Sequence, residues 1–376
     1  MDKNEIIYLD YNATTPVHPE VVDAMIPYLR DFWGNPSSSH AYGIKAAEAV
    51  ELARAQVAES IGALPSEIYF TSGGTESNNL AIMGVCAARP DLQSVVTSDV
   101  EHPATEEPCR LLERRGYQIT RLEVDHFGRA IVPPDLDLSD VALITIMHSN
   151  NETGTLQPVR ELVELATRHK VPVHTDASQS LGKVPIDVNQ LGVDLLSIAG
   201  HKLYAPKGIG ALYVRTGTPI EPFTRGAGHE RGLRPGTENV ASIVGLGRAA
   251  ELAVHELKAK AARLTDLRDR LHRKLKAQIP GLELNGHPDD RLPNTLSIRF
   301  PGVRGAEVLT RADIAASTGA ACHKGEDKAS AVILKMGVSM DEALGTVRLT
   351  LGQGTTEEIV DQAACRIVEA WAAMKR

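Results

Sequence analysis

The chain has 376 residues, 43% hydrophobic and 23% charged. That is the balance of a folded globular protein and excludes a disordered tail, a collagen and a disulfide scaffold. Lys and Arg number 40 against 48 Asp and Glu, so the net charge of −8 gives no reason to expect a grip on nucleic acid or an anionic membrane.

In chain order, residues 40–61 read as a helix, 68–71 (IYFT) as a strand and 77–88 as a helix. Strands at 94–97 (SVVT) and 117–122 flank a helix at 103–115. Strands at 142–147 (ALITIM) and 171–175 (VPVHT) flank another at 160–169, and strands at 195–199 (LLSIA) and 210–214 (GALYV) follow. Several are apolar on successive residues, as a strand covered on both faces requires. The alternation predicts an α/β layer with a mostly parallel sheet. Residues 240–279 then read as one long helix ended by Pro280-Gly281, a bridge to a smaller α+β unit. That unit comprises a strand at 295–300, a further helix, a Gly-rich segment at 317–325, a strand at 347–351 and a closing helix from Thr356. Such a length predicts two domains.

Several classes of chemistry lack their signatures. There is no G-x-G-x-x-G opening a helix after a strand, and no G-x-x-x-x-G-K-[ST]. Cys86, Cys109, Cys322 and Cys365 include no C-x-x-C pair and the histidines are dispersed, so no metal is expected. A basic start with an apolar run behind it is lacking, and no apolar stretch nears the ~20 residues of a bilayer span. Cytoplasmic placement is the expectation.

Three stretches carry chemistry. SIAGHK (197–202) ends a buried strand on a lysine. Such a lysine either snorkels to water or, partly desolvated, has the lowered pKa that makes Schiff bases with carbonyl compounds. HTDASQ (174–179) ends a strand on Asp176, which either caps a helix or meets a cation such as a pyridinium nitrogen. TSGGTES (71–77) runs from a strand through a glycine pair into a helix, where backbone N–H groups form an anion site and Thr75 adds a hydroxyl. Lysine, acid and phosphate cradle together are what pyridoxal phosphate requires.

Carrying these motifs, the chain resembles the class V aminotransferase superfamily of fold type I pyridoxal phosphate enzymes, and more narrowly the cysteine desulfurases and selenocysteine lyases. The resemblance rests on YLDYNATTP (8–16), WGNPSSSH (33–40), FTSGGTESNNLAI (70–82), EHPA (101–104), MHSNNETG (147–154), HTDASQSLGK (174–183), GHKLYAPKGIGALYV (200–214), HERGLRPGTEN (229–239), RLPNT (291–295), STGAACH (317–323) and VRLTLGQGTT (347–356). It implies a large cofactor-binding domain over 15–250, built on a mostly parallel seven-stranded sheet, and a smaller α+β domain from 1–14 and 251–376.

By position, the resemblance implies that Lys202 joins the cofactor aldehyde and Asp176 pairs with its ring nitrogen. Gln179 would contact the ring hydroxyl, His102 would stack on the ring and assist proton transfer, and Asn151 would lie beside it. Gly74, Thr75 and His201 would hold the phosphate, joined by Thr237 from the neighbouring subunit of a homodimer. Arg348 and Asn35 would bind the substrate. Cys322 would be the thiol that accepts sulfur from L-cysteine as a persulfide, leaving L-alanine. Its neighbours Gly319, His323, Lys324 and Gly325 favour a low thiol pKa over an inert buried cysteine.

Two departures bear on substrate. Ala199 stands where many desulfurases carry a hydroxyl residue, and Ala-Cys-His (321–323) is similar to the selenocysteine lyases. L-Selenocysteine is therefore the alternative substrate, with a class V aminotransferase and a noncatalytic scaffold as remoter alternatives. The acceptor of the sulfur is left open among an iron–sulfur scaffold, a thiolation enzyme and a selenophosphate pathway. Arg348 could instead serve an internal salt bridge. Arg231 and Arg234 could serve either the phosphate or the dimer interface.

Overall fold

The computed structural model describes residues 6–255, 257–319 and 329–375. The chain opens with β1 (Ile7–Tyr8), α1 (Pro19–Arg30) and α2 (Ala41–Ser60). It continues through β2 (Ile68–Thr71), α3 (Gly74–Ala88), β3 (Ser94–Ser98), α4 (Pro103–Arg114), β4 (Gln118–Leu122), β5 (Val141–Met147) and α5 (Val159–His169). Next come β6 (Val173–Asp176), α6 (Val188–Leu191), β7 (Leu195–Ala199), β8 (Gly210–Val214), α7 (Val240–Val254) and α8 (Leu257–Gln278). The chain closes with β9 (Glu283–Asn285), β10 (Thr295–Arg299), α9 (Gly305–Ala312), β11 (Ile314–Ala315), α10 (Ala331–Lys335), α11 (Met340–Ala343), β12 (Thr346–Thr350) and α12 (Glu357–Met374).

Seven strands form one sheet in the order β2-β8-β7-β6-β5-β3-β4. β8 pairs antiparallel with both neighbours and every other pairing is parallel. The mostly parallel sheet is thus as expected. All seven residues of β5 are buried, because helices cover both faces and no side chain has water to turn to.

A second sheet, β12-β10-β9, is antiparallel, and β1 pairs with β11 beside it. Each sheet has its own apolar core. One gathers Val57, Ile144, Val173, Ile198 and Leu246, and the other gathers Leu271, Ile298, Leu349 and Ile367 with Ile7 and Leu9 from the chain start. Among the described residues no helix is long and apolar enough to cross a membrane.

The single long helix expected over 240–279 is two. α7 ends at Val254, and His255 adopts an extended ψ of 124°. The physical reason is that the two halves bury against different cores. Ile243, Leu246 and Ala250 of α7 face the large sheet, whereas Leu267, Leu271 and Leu275 of α8 face the small one. The helix expected at 77–88 starts three residues earlier, at Gly74.

Candidate active site

In an open parallel sheet, ligand sites form beyond the carboxyl ends of the strands. Here β2, β3, β5, β6 and β7 all deliver chain to one cavity of about 410 Å³. Gly74, Thr75, His102, Asn151, Asp176, Gln179, His201, Lys202 and Arg348 line it, so nine expected residues converge there. Asn12, Ala13, Ala104, Met147, Ser149, Ser178 and Ala199 complete the wall. Asn35 and Thr237 are exposed and not part of it. Asn35 closes a turn, its Oδ1 accepting from Ser37 N at 2.9 Å. Cys322 lies outside the described residues.

Lys202 follows β7, in a short turn of 3-10 helix. Its Nζ donates to the carbonyl oxygens of Asn12 at 2.6 Å and Ala13 at 2.8 Å. Burial first, and then the nearby Arg348 guanidinium, lower its pKa to about 8. It therefore turns into the site instead of reaching for water.

Asp176 is the last residue of β6. Its Oδ1 accepts from Ser178 N at 2.9 Å and its Oδ2 from Asn78 Nδ2 at 2.7 Å. It caps a turn, not a helix. With one donor on each oxygen the carboxylate is fixed in orientation and keeps lone pairs for a cationic N–H.

His102 caps α4, Nδ1 accepting from Ala104 N at 3.1 Å, which puts the ring proton on Nε2. Burial and the Lys202 charge lower its pKa against the pull of Asp176, so the ring is neutral at pH 7. Beneath it Glu101, in EHPA but without an expected role, accepts from Ser98 Oγ at 2.6 Å and from Met147 N. Burial raises that carboxyl to about 8, and the charge of Asp176 adds to the shift. Glu101 thus ties the start of α4 to the end of β5.

The start of α3 is an uncapped helix end. Gly73, at φ 145°, makes no side-chain cap, and Ser77 Oγ, one turn into the helix, meets Thr71 Oγ1 at 2.8 Å and Ala211 O at 3.1 Å. First-turn N–H groups have no acceptor within a helix, so this end favours an anion. The loop lies hard against β8. A Cβ on Gly210 would come within 2.7 Å of Gly73 Cα. His201 stands beside it, Nδ1 3.2 Å from Thr14 Oγ1, its pKa lowered to about 4 by burial and by Lys202.

Arg348, in β12, donates to Asp10 Oδ1 at 2.7 Å and to Asn151 O at 3.1 Å. The internal salt bridge therefore exists. It does not exhaust the guanidinium, because the buried Nε has no partner. Arg231 and Arg234 face elsewhere. Arg231 lies 4.1 Å over the Tyr69 ring, and Arg234 Nε pairs with Glu76 Oε1 at 2.8 Å.

Asn12 sits at the hub of this cavity, and sequence reasoning assigned it no role. Its carbonyl takes Lys202 and Gln179, its Oδ1 takes Lys183 and Asn294, and its Nδ2 donates to Asn151 O and Thr295 Oγ1. The signal was present in YLDYNATTP, but a buried Asn is recognised as a hub only once its partners are brought together.

The aminotransferase class-V family model matches residues 7–363. The cysteine desulfurase IscS of Dictyoglomus turgidum is 46% identical over 359 residues, covering 94% of this chain and 91% of that protein. NifS of Azotobacter vinelandii, also a cysteine desulfurase, is 44% identical over 362 residues, covering 95% and 90%. Among solved structures, a NifS-like protein superposes with a TM-score of 0.91 at 37% identity, covering 98% of this chain and all of its own. SspA in complex with cysteine gives 0.80 at 36% identity, covering 92% and 98%.

Proposed function

The chain belongs to the class-V aminotransferase family, and from that membership we propose that it is a pyridoxal-phosphate-dependent cysteine desulfurase acting on L-cysteine. One observation carries the cofactor reading. A lysine amine lowered to about 8, a carboxylate with one donor on each oxygen and an uncapped helix N-terminus face a single cavity. That donor set matches an aldehyde, a pyridinium nitrogen and a phosphate. Gly74, Thr75 and His201 would hold the phosphate, Asp176 the ring nitrogen, Gln179 the ring hydroxyl and Lys202 the aldehyde, with His102 and Asn151 against the ring. Bound there, pyridoxal phosphate supplies an electron sink for bond breaking next to the substrate's α-carbon.

The chain's own groups do the rest. Arg348 lines the cavity and keeps unspent N–H donors on its terminal nitrogens for a substrate carboxylate, while Asp10 and Asn151 O hold those nitrogens in place. As a free amine, Lys202 would be a base whose pKa lies close to working pH, as proton removal from carbon requires. His102 offers a proton at Nε2. The thiol of Cys322, assigned from its motif, takes the substrate sulfur. The C–S bond breaks, an S–S bond forms, and L-cysteine plus the protein thiol become L-alanine plus the protein persulfide. An acceptor protein then takes the sulfur.

We place the site in a homodimer. Val22, Ile26 and Leu29 form an exposed apolar stripe on α1, continued by Trp33 and Tyr42, and a second copy would cover them. Thr237, exposed and outside the cavity of its own chain, would complete the neighbouring site.

The test is alanine formation from L-cysteine and from L-selenocysteine by wild type and Cys322→Ala. A desulfurase loses turnover on cysteine when the thiol is removed. Turnover of selenocysteine alone would make it a lyase for that substrate, and alanine formation from cysteine unaffected by Cys322→Ala would refute the persulfide route.

A further inference from the structure

Lys183 is a second lysine at this site and has no place in the reaction above. It follows the turn at Gly182, and only 8% of its surface is exposed. Among the described residues no carboxylate pairs with it. Its Nζ donates to Gln179 Oε1 at 2.8 Å and to Asn12 Oδ1 at 3.0 Å. Lys202 and Arg348 are the charged groups that reach it most strongly, and burial together with their charge pushes its amine well below the ordinary lysine value.

An isolated buried ammonium would be costly, so a lysine placed here must do something that an apolar side chain could not. Gln179 supplies the answer. A glutamine amide can face either way, offering a donor or an acceptor to whatever sits beside it. Here Oε1 is taken by Lys183, and one N–H of Nε2 goes to Asn12 O at 2.9 Å. Asn12 O also accepts from Lys202. Turning the amide over would set Gln179 Oε1 against that carbonyl oxygen. The remaining N–H of Nε2 is then the group that Gln179 has left for the cavity it lines.

We propose that Lys183 is a positioning residue that locks the Gln179 amide so that an N–H, and not a carbonyl, is presented to the ring oxygen of the bound cofactor. This rests on the pyridoxal phosphate reading. A donor at that oxygen draws electron density from it, and the oxygen then holds less tightly the proton it shares with the lysine-derived nitrogen. Without Lys183, Oε1 is orphaned beneath the cavity and the amide keeps only the Asn12 O contact to fix it, so the N–H facing the ring oxygen is no longer held in place.

The experiment is a pH titration of the visible absorbance of the holoenzyme, with cofactor affinity and thermal unfolding measured alongside. Lys183→Met should raise the midpoint by about one pH unit, the equivalent of one hydrogen bond to a charged group. Gln179→Leu should raise it similarly, and the double variant no further than either, because both remove the same donor. Lys183→Arg, which keeps N–H groups for both acceptors and can extend into the crevice beside Gly182, should titrate as wild type. A wild-type midpoint in Lys183→Met, or fully additive shifts in the double variant, would overturn the proposal. So would a Lys183→Arg midpoint as displaced as that of Gln179→Leu, which decides the matter even if Lys183→Met does not fold. Wild type without a visible band overturns the cofactor reading and this role with it, whereas a band indifferent to Lys183 overturns this role alone.

Discussion

Replacing Arg348 with lysine separates substrate recognition from internal bracing. In the free site the guanidinium spends one terminal nitrogen on Asp10, 2.7 Å away, and the other on Asn151 O at 3.1 Å, leaving Nε buried and unpartnered. Each terminal nitrogen carries a second N–H, so a carboxylate entering the cavity meets donors already oriented by those two contacts, which is how a planar fork works and a point charge does not. Lysine can satisfy Asp10 or the substrate but lacks the fixed third donor. The loss is one charge-assisted hydrogen bond, about 1.5–3 kcal/mol, or roughly 10- to 150-fold in kcat/KM. The assay is alanine formation over a range of L-cysteine concentrations, with the visible cofactor band confirming equal loading. The loss should fall mainly on KM. Asp10→Asn keeps a neutral acceptor for the same nitrogen and should cost less. If Arg348 were only an internal brace, both variants would lower thermal stability and leave KM alone. A KM within twofold of wild type in Arg348→Lys would refute the assignment.

Three further outcomes follow from the geometry. In cofactor-stripped protein, labelling of Lys202 by an amine-specific reagent should rise with pH and reach half its maximum near 8, because only the neutral amine reacts. About a tenth of the amine is then neutral at pH 7, against about one part in three thousand for an ordinary lysine, and half-reaction near pH 10 would contradict the desolvation argument. Glu230→Ala should destabilise the chain by up to about 3–5 kcal/mol in denaturant titration. It removes the buried carboxylate that holds Arg54 by two contacts of 2.8 and 2.9 Å, leaving Glu51 at 3.0 Å and Ile68 O, and removes the acceptor of Phe70 N; a loss below 1 kcal/mol would mean that Glu51 and water compensate Arg54. Gly210→Ala should weaken cofactor binding at some cost in stability, since its methyl group would press within 2.5 Å of Ile198 O in β7 and 2.7 Å of Gly73 Cα and displace the start of α3, and unchanged affinity by fluorescence titration would count against the anion cradle.

Much of the site was legible because its chemistry is tied to strand ends. Lys202, Asp176 and the glycine pair before α3 each follow an apolar run, and in a parallel sheet such ends share one edge. Asn12, Asp10, Glu101, Asn78 and Lys183 were not assigned roles. Each acts through a hydrogen bond to a residue distant in sequence. Asn12 and Lys183 are 171 positions apart, Asn78 and Asp176 are 98 apart, and no local pattern encodes such pairs. Helix ends were misplaced where propensity is uniform. The Ala-, Leu-, Arg- and Lys-rich stretch after Gly247 carries no Gly or Pro before Pro280, so the break at His255 is imposed by the two cores on which its halves pack.

By itself the sequence determined the α/β class, the seven strands of the large sheet, the family and the residue types that chemistry at a carbonyl requires, because these follow from periodicity and from motifs at element ends, whereas the short β1, β9 and β11 carry too few residues to show a pattern. Tertiary structure alone decided which groups are buried and which touch. Burial gives Lys202 its usable amine and lowers that of Lys183, while the contacts of Arg348 leave part of its guanidinium unspent. The reason is physical: a side chain's charge state and its unspent hydrogen bonds depend on the dielectric and the partners around it, and those are assembled from segments that meet only when the chain folds.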